Sequence, residues 1–347
     1  MTSPTSTTPT AAGPGPRGGG AVRAFLMPTT VTGWVRATAW ASMLANALLI
    51  VTGGAVRLTG SGLGCPTWPR CTDASWTNTP EMGVHGYIEF GNRTLTFLLV
   101  AISVLTFLAV WRTRDRHPSF VRIAVAIGLG IILQAAVGGI TVRTGLNPWV
   151  VGVHFVISTV LVALAAVLVA RTRRVSLEQV AVSERAGQLG GPERGLARGL
   201  AGTIAVSGAL TIYLGTLVTG TGPHSGDAGE VARHAFDPYV VTRVHVVPVY
   251  VMVAATLAAL AVALRRGWPA PVRRVLLLLG ALLLAQAALG YYQFFNGVPV
   301  LAVGLHMAGA AALAAVITLA VEKVYAVSRP AGETAGRTAR QDVLTDA

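Results

Sequence analysis

Charge is scarce in this chain of 347 residues: 27 basic and 14 acidic side chains make up 12% of it, about half of what a soluble domain carries. That shortage excludes a water-soluble catalytic domain, whose surface would be left without polar cover. Lysine is almost missing; Lys323 is the single example, and every other basic residue is arginine. Acidic residues are rarer than basic ones, which gives a formal net charge of +13. In a soluble protein that balance points to nucleic acid, but here most arginines flank apolar runs, so they read as topology signals and nucleic acid is excluded as a partner. Cysteine is limited to Cys65 and Cys71, too few for a disulfide scaffold or a four-thiolate metal site.

What the chain has in abundance is apolar sequence, with 53% hydrophobic residues and a mean hydropathy of +0.61. Runs of the length needed to cross a bilayer occur at about 34 to 56, 90 to 111, 120 to 142, 148 to 170, 199 to 220, 240 to 264, 272 to 295 and 299 to 321. The expected fold is therefore an all-α integral membrane protein of eight transmembrane helices, with membrane lipid as its solvent. An even number of spans puts both termini on one side. Placing that side in the cytoplasm puts twenty basic residues in inner segments and four, Arg57, Arg70, Arg143 and Arg233, in outer ones. The positive-inside rule then assigns a multi-pass protein of the cell membrane with both termini cytoplasmic.

Residues 1–33, rich in Thr, Pro and Gly, read as a disordered cytoplasmic tail and not as a cleaved signal peptide, because they contain no apolar h-region. Residues 322–347 read as a second such tail. The polar stretch 171–198 reads as a cytoplasmic linker between an N-terminal half, 34–170, and a C-terminal half, 199–321.

Comparing the halves gives the strongest signal in the chain. Gln134-Ala-Ala-Val-Gly138 is followed by Gly152-Val-His154, and Gln286-Ala-Ala-Leu-Gly290 by Gly304-Leu-His306, with the same spacing from Gln to His. A second echo pairs Thr59-Gly-Ser-Gly62 with Thr219-Gly-Thr-Gly222. Four spans per half make the expected repeats parallel, two four-helix units with pseudo-twofold symmetry about the membrane normal. His154, His245 and His306 each fall five to seven residues into a span entered from outside, about 8 to 10 Å below the outer surface. One histidine in a span is commonly a packing residue, but three in one layer are the side chains from which bundle cores build a haem site. The repeat position of His245 in the first half is Asn92, in Glu89-Phe-Gly-Asn92-Arg93.

These residues, together with Gly53-Gly54-Ala-Val-Arg57-Leu-Thr-Gly-Ser-Gly62-Leu-Gly-Cys65-Pro-Thr-Trp68-Pro-Arg-Cys71, resemble the haem A synthase family over about residues 34 to 321. The resemblance implies an oxidase that converts the C8 methyl of haem O to the formyl of haem A, for terminal oxidase assembly. It implies a haem b cofactor in the C-terminal half and the substrate haem in the N-terminal half. His245 and His306 match the axial ligands of haem b, and His154 matches one ligand of the substrate site. Many relatives read Glu-x-x-His-Arg where this chain has Asn92, so the substrate iron is held either by His154 alone, facing Glu89 and Asn92, or by His154 with His85. Glu89 is expected to act catalytically, with a helix-terminus pairing to Arg93 as the structural alternative. Haem O is implied as a substrate delivered by haem O synthase, and an extracytoplasmic or quinone-type redox partner is implied alongside it.

Arg57 and Arg143, at outer span ends that the positive-inside rule disfavours, read as propionate contacts or as side chains snorkelling to headgroups. Cys65 and Cys71 lie six apart in the outer, oxidising compartment and are expected to form a disulfide, either as a staple or as an exchanging thiol pair. His117, His224 and His234 read as ordinary solvated residues. Two rival functions remain open from sequence. A two-haem electron-transfer cytochrome would need a closed six-coordinate iron in both halves, and a transporter would need broken helices, for which Pro248 is the one well-placed proline.

Overall fold

The computed structural model describes residues 18–180, 189, 191–227, 229 and 231–328. After a short helix α1 (Gly18–Leu26), eight long helices follow: α2 (Gly33–Leu58), α3 (Gly83–Trp111), α4 (Pro118–Arg143), α5 (Pro148–Val180), α6 (Gly191–Thr221), α7 (Pro238–Arg265), α8 (Ala270–Phe295) and α9 (Val300–Val327). All eight are long and apolar enough to cross a membrane. The shortest has 26 residues, or about 39 Å of helix, against a hydrocarbon core of about 30 Å. The protein is a multi-pass membrane protein. Among the described residues there is no strand, only one isolated bridge between Ser61 and Asp227.

The helix ends show why apolar windows locate spans better than boundaries. Helix α3 begins seven residues before the expected span and α5 runs ten beyond it, because polar turns continue a helix outside the apolar zone without adding hydropathy. The linker expected over 171–198 is correspondingly shortened: residues 171–180 belong to α5 and 191–198 to α6. The tail expected over 1–33 is corrected where α1 forms, and that expected from 322 is corrected as far as Val327. The rest of both tail assignments, and residues 181–188 of the linker, lie outside the described residues.

Starts are set by local chemistry. Proline occupies the first helical position of α4, α5 and α7, where its missing N–H costs nothing. At α7 the Asp237 carboxylate also accepts from the N–H groups of Tyr239 and Val240 at 2.8 and 2.9 Å. The turns α4–α5 and α8–α9 each use two consecutive left-handed residues, Gly145 with Leu146 and Gly297 with Val298. Leu146 is held by burial and Val298 by its carbonyl, which meets His224 Nε2 at 2.9 Å.

Within the first half, α2 packs on α3 and α5, and α4 on α3 and α5. Within the second, α6 packs on α7 and α9, and α8 on α7 and α9. The halves join through α5 with α9, α2 with α9, and α5 with α6. Small residues let these helices approach: a Cβ on Gly152 would lie 3.1 Å from Thr216 Oγ1, and one on Gly54 3.1 Å from Met307 Cε. At the ends of α5 and α9 away from the histidines, Glu322 pairs with Arg171 at 2.9 Å and Arg174 at 3.5 Å. The apolar core follows the same division, one cluster around Val35, Phe120, Ile127 and Leu168 and another around Ile204, Met252, Leu276 and Leu279.

Candidate functional site

His154 sits six residues into α5, His306 six into α9 and His245 seven into α7. All three therefore lie about 10 Å below the ends at which these helices start. Each ring packs on a glycine of a neighbouring helix. Cβ atoms built on Gly138, Gly215 and Gly290 would stand 3.3, 3.2 and 3.7 Å from the Cε1 atoms of His154, His245 and His306 respectively. The expected Gln–His relation has a physical basis: Gln134 Nε2 donates to the His154 carbonyl and Gln286 Nε2 to the His306 carbonyl, both at 3.0 Å. Gln134 also donates to Ser158 Oγ. In both halves the amide braces the helix turn that carries the histidine.

The Nδ1 atoms of His154 and His306 are buried without a partner, and so is Asn92 Oδ1, whereas the His245 ring is within reach of the Thr211 backbone. A buried polar group left unpaired costs about 1–3 kcal/mol; at His154 the Nδ1 side of the ring packs toward Gly138, so Nε2 is the nitrogen left to face a ligand.

Over the first half, the segment joining α2 to α3 is folded tightly against the start of α3. Cys65 and Cys71 form the expected disulfide, and both are fully buried. Glu89, 7% exposed, accepts the Cys65 N–H at 2.5 Å on Oε2 and Arg93 Nη2 at 2.7 Å on Oε1. Arg93 in turn donates to the carbonyls of Thr67, Pro69 and Arg70 at 3.2 to 3.4 Å. One carboxylate and one guanidinium thus engage four backbone groups of the disulfide loop, the two Nη1 protons being shared among three carbonyls. Arg143 Nη2 adds a bond to the Trp68 carbonyl at 2.9 Å, and the Trp68 ring lies where a Cβ on Gly139 would fall.

The family profile COX15-CtaA, cytochrome oxidase assembly protein, matches residues 36–318. The chain belongs to this family. Its curated relatives include proteins named "Heme A synthase". That of Rhizobium johnstonii is 27% identical over 321 residues, 77% of this chain and 83% of the relative. That of Lysinibacillus sphaericus is 39% identical over 127 residues, 35% of this chain and 39% of the relative. That of Geobacillus kaustophilus is 31% identical over 132 residues, 37% of this chain and 39% of the relative. The chain thus spans about two-fifths of the length of the last two relatives.

In this member of the cytochrome oxidase assembly family, the remaining candidates are divided between site and scaffold. Arg57 lies at the seam of the halves, where its Nη2 donates to the Thr219 carbonyl at 2.9 Å while its Nε is buried without a partner. His85 is engaged, with Nδ1 2.9 Å from Ser61 Oγ. His224 ties its loop to the α8–α9 turn, and His117 stacks on Phe120 with ring centroids 4.9 Å apart.

His234 corrects the expectation of a solvated residue. It is 7% exposed, its ring meets Trp149 edge-on at 4.4 Å and Phe236 at 5.3 Å, and its backbone N–H donates to the Gly220 carbonyl at 3.0 Å. Burial, with the nearby Arg57 charge added, holds its pKa below the ordinary 6.5. Aromatic residues at 149 and 236 were the available signal, but only the fold brings them to one place.

Proposed function

We propose that this protein oxidises the C8 methyl of haem O to a formyl group, giving haem A for terminal oxidase assembly. The observation that carries the reading is the layer of glycine-backed, buried imidazoles in a member of this family. Haem b fits the C-terminal half: His245 and His306 would hold it from α7 and α9, with Gly215 and Gly290 leaving room beside the rings. When bound, it supplies one-electron transfer. The substrate haem fits the N-terminal half, where His154 would hold the iron on one face and Asn92, a poor iron ligand, would leave the other face open. Its prenyl tail would lie in lipid.

The residues divide the work in this reading. His154 and the Gln134 brace fix the substrate's depth and orientation. Glu89 places a negative charge beside the disulfide loop, suited to stabilising positive charge at the reacting carbon and to receiving a proton, since each of its oxygens retains a second lone pair. Arg93 keeps that carboxylate in place. Arg57 and Arg143 are the propionate candidates; Arg57 has the unused Nε for it, whereas Arg143 is already bonded to Trp68. The buried disulfide supports the staple reading over thiol exchange, because neither sulfur is open to a reductant.

The same reading puts both termini in the cytoplasm of a bacterial cell, the disulfide loop outside, haem O synthase upstream, and an extracytoplasmic or quinone-type molecule as redox partner. It assigns residues 34–170 to the substrate half, 199–321 to the haem b half, and a pseudo-twofold relation to the two. The matching helix pairs α2 with α9 and α6 with α5 support that relation. A transporter is disfavoured by α7, which continues unbroken through Pro248, and a two-haem carrier by Asn92. Purified protein in lipid, supplied with haem O and assayed by pigment extraction and chromatography, should yield haem A beside retained haem b. Haem b alone, with unchanged haem O, would return the protein to the electron-transfer cytochromes.

A further inference from the structure

On the lipid-facing side of α7 and α8, Tyr250 and Tyr291 join their hydroxyls at 3.0 Å although the side chains are 60% and 53% exposed. Tyr250 lies twelve residues from the outer start of α7 and Tyr291 four from the outer end of α8, about 18 and 6 Å deep. Side chains lean toward the helix N-terminus, so the two antiparallel helices aim these rings at each other across that interval. A hydroxyl in lipid is costly unless bonded. The pair uses one of its two protons, leaving one donor and several acceptor sites directed at the membrane. Phe295 stacks on the Tyr291 ring at 6.4 Å, and exposed rings continue from it through Phe294 at 5.2 Å to Tyr239, which meets Phe294 edge-on at 5.8 Å.

Two further observations tie this pair to the C-terminal site. Tyr291 directly follows Gly290, the residue that backs the His306 ring. The positions in the first half that correspond through the Asn92–His245 and Gln134–Gln286 alignments are Phe97 and Gly139. The half with two histidines has the tyrosines; the half with Asn92 has neither.

We infer that Tyr250 and Tyr291 form the docking site for a membrane quinone, the oxidant that removes electrons from the C-terminal site. The inference rests on the proposed reaction and deepens it. Converting the methyl and one water to the formyl releases four electrons and four protons, and two quinones take up all of them to become two quinols. A quinone carbonyl matches the free phenolic donor, its ring matches the aromatic surround, and its isoprenoid tail matches lipid.

The test uses the full-length protein in phosphatidylglycerol-containing vesicles with a photoactivatable azidobenzoquinone bearing a short isoprenoid tail. Label should map to peptides around Tyr250 and Tyr291, compete with excess unmodified quinone, and fall at least tenfold in the Tyr250→Phe, Tyr291→Phe double variant. The haem b spectrum of that variant should be unchanged, while quinone-driven reoxidation of the reduced protein slows at least tenfold. Labelling that is undiminished in the double variant, that maps to α3 and α4, or that is absent altogether overturns the docking site. A purified wild-type protein that binds quinone at the tyrosines but holds no haem b overturns the proposed reaction and leaves the quinone site standing.

Discussion

The two halves carry the same brace and differ in what surrounds it. In each, a glutamine amide reaches the carbonyl of a histidine on the last helix, and a glycine backs that histidine's ring. The C-terminal half adds a second histidine on α7, while the N-terminal half puts Asn92 in the corresponding position and covers the region with a disulfide-bonded loop anchored by Glu89 and Arg93. A carrier site is best served by two strong ligands, because a fixed coordination shell changes little on electron transfer. A site that must act on its haem needs an open face and a positioned charge. In the proposed reaction, one scaffold supplies both by changing a single ligand position and one loop.

Removing a histidine is the most severe way to test that division. His245→Ala or His306→Ala should abolish or convert the low-spin haem b signal, while His154→Ala should spare it and eliminate haem A. Electron paramagnetic resonance on the purified variants reads this directly. Loss of the low-spin signal in His154→Ala, with retention in both C-terminal variants, would reverse the halves.

Next comes the clamp. Glu89→Gln should keep haem b and the protein level but stop haem A formation, and should lower stability by about 3 kcal/mol as Arg93 loses its partner, the lower end for a broken buried pair because Arg93 is 21% exposed. Pigment analysis and thermal unfolding check the two effects separately. Wild-type conversion with lowered stability would make Glu89 a structural residue only.

Smaller is the loss on replacing Cys65 or Cys71 with serine, about 2 kcal/mol for so short a loop. In freshly prepared wild-type protein, neither sulfur should react with alkylating reagent before reduction, as mass analysis will show. Two alkylated thiols would contradict the disulfide.

The mildest test grades the cradle and the seam. Gly215→Ala, whose Cβ would lie 3.2 Å from the His245 ring, should shift the haem b spectrum, whereas Gly290→Ala, with 3.7 Å to spare, should leave it nearly unchanged. At the seam, the folded state resists protonating His234, so stability is full above the ordinary value of 6.5 and is lost as pH falls below it. His234→Gln should flatten that acid limb in unfolding curves measured from pH 7 to 4; an unchanged slope would show that His234 is not its source.

The eight spans and the depth of the histidines were legible because both depend on local quantities, apolar length and counting along a helix. The Gln–His spacing was legible as a pattern, although its meaning as an amide-to-carbonyl brace needed α4 beside α5 and α8 beside α9. The i,i+4 pairing of Glu89 with Arg93 could be read; the bond from Cys65 could not, since the 24 positions between them run mostly through irregular chain. His234 was misjudged for the same reason. Its polarity and loop position indicate water, but Trp149 comes from the other half and closes over it.

The placement of α9 has a consequence for biosynthesis. Helices emerge from the ribosome in order, yet α9, the last of the described ones, packs against α2 and α5 as well as against α6 and α8. The four long helices of the first half therefore cannot complete their packing until α9 has been inserted, and the contacts of Arg57 with Thr219 and of Ser61 with Asp227 also await the second half. A chain interrupted after α8 would leave both halves open at their shared seam, exposing small residues such as Gly54 that normally meet Met307. Insertion of α9 is thus registered in both halves at once, and membrane quality control would find a chain lacking it by the surfaces that α9 covers.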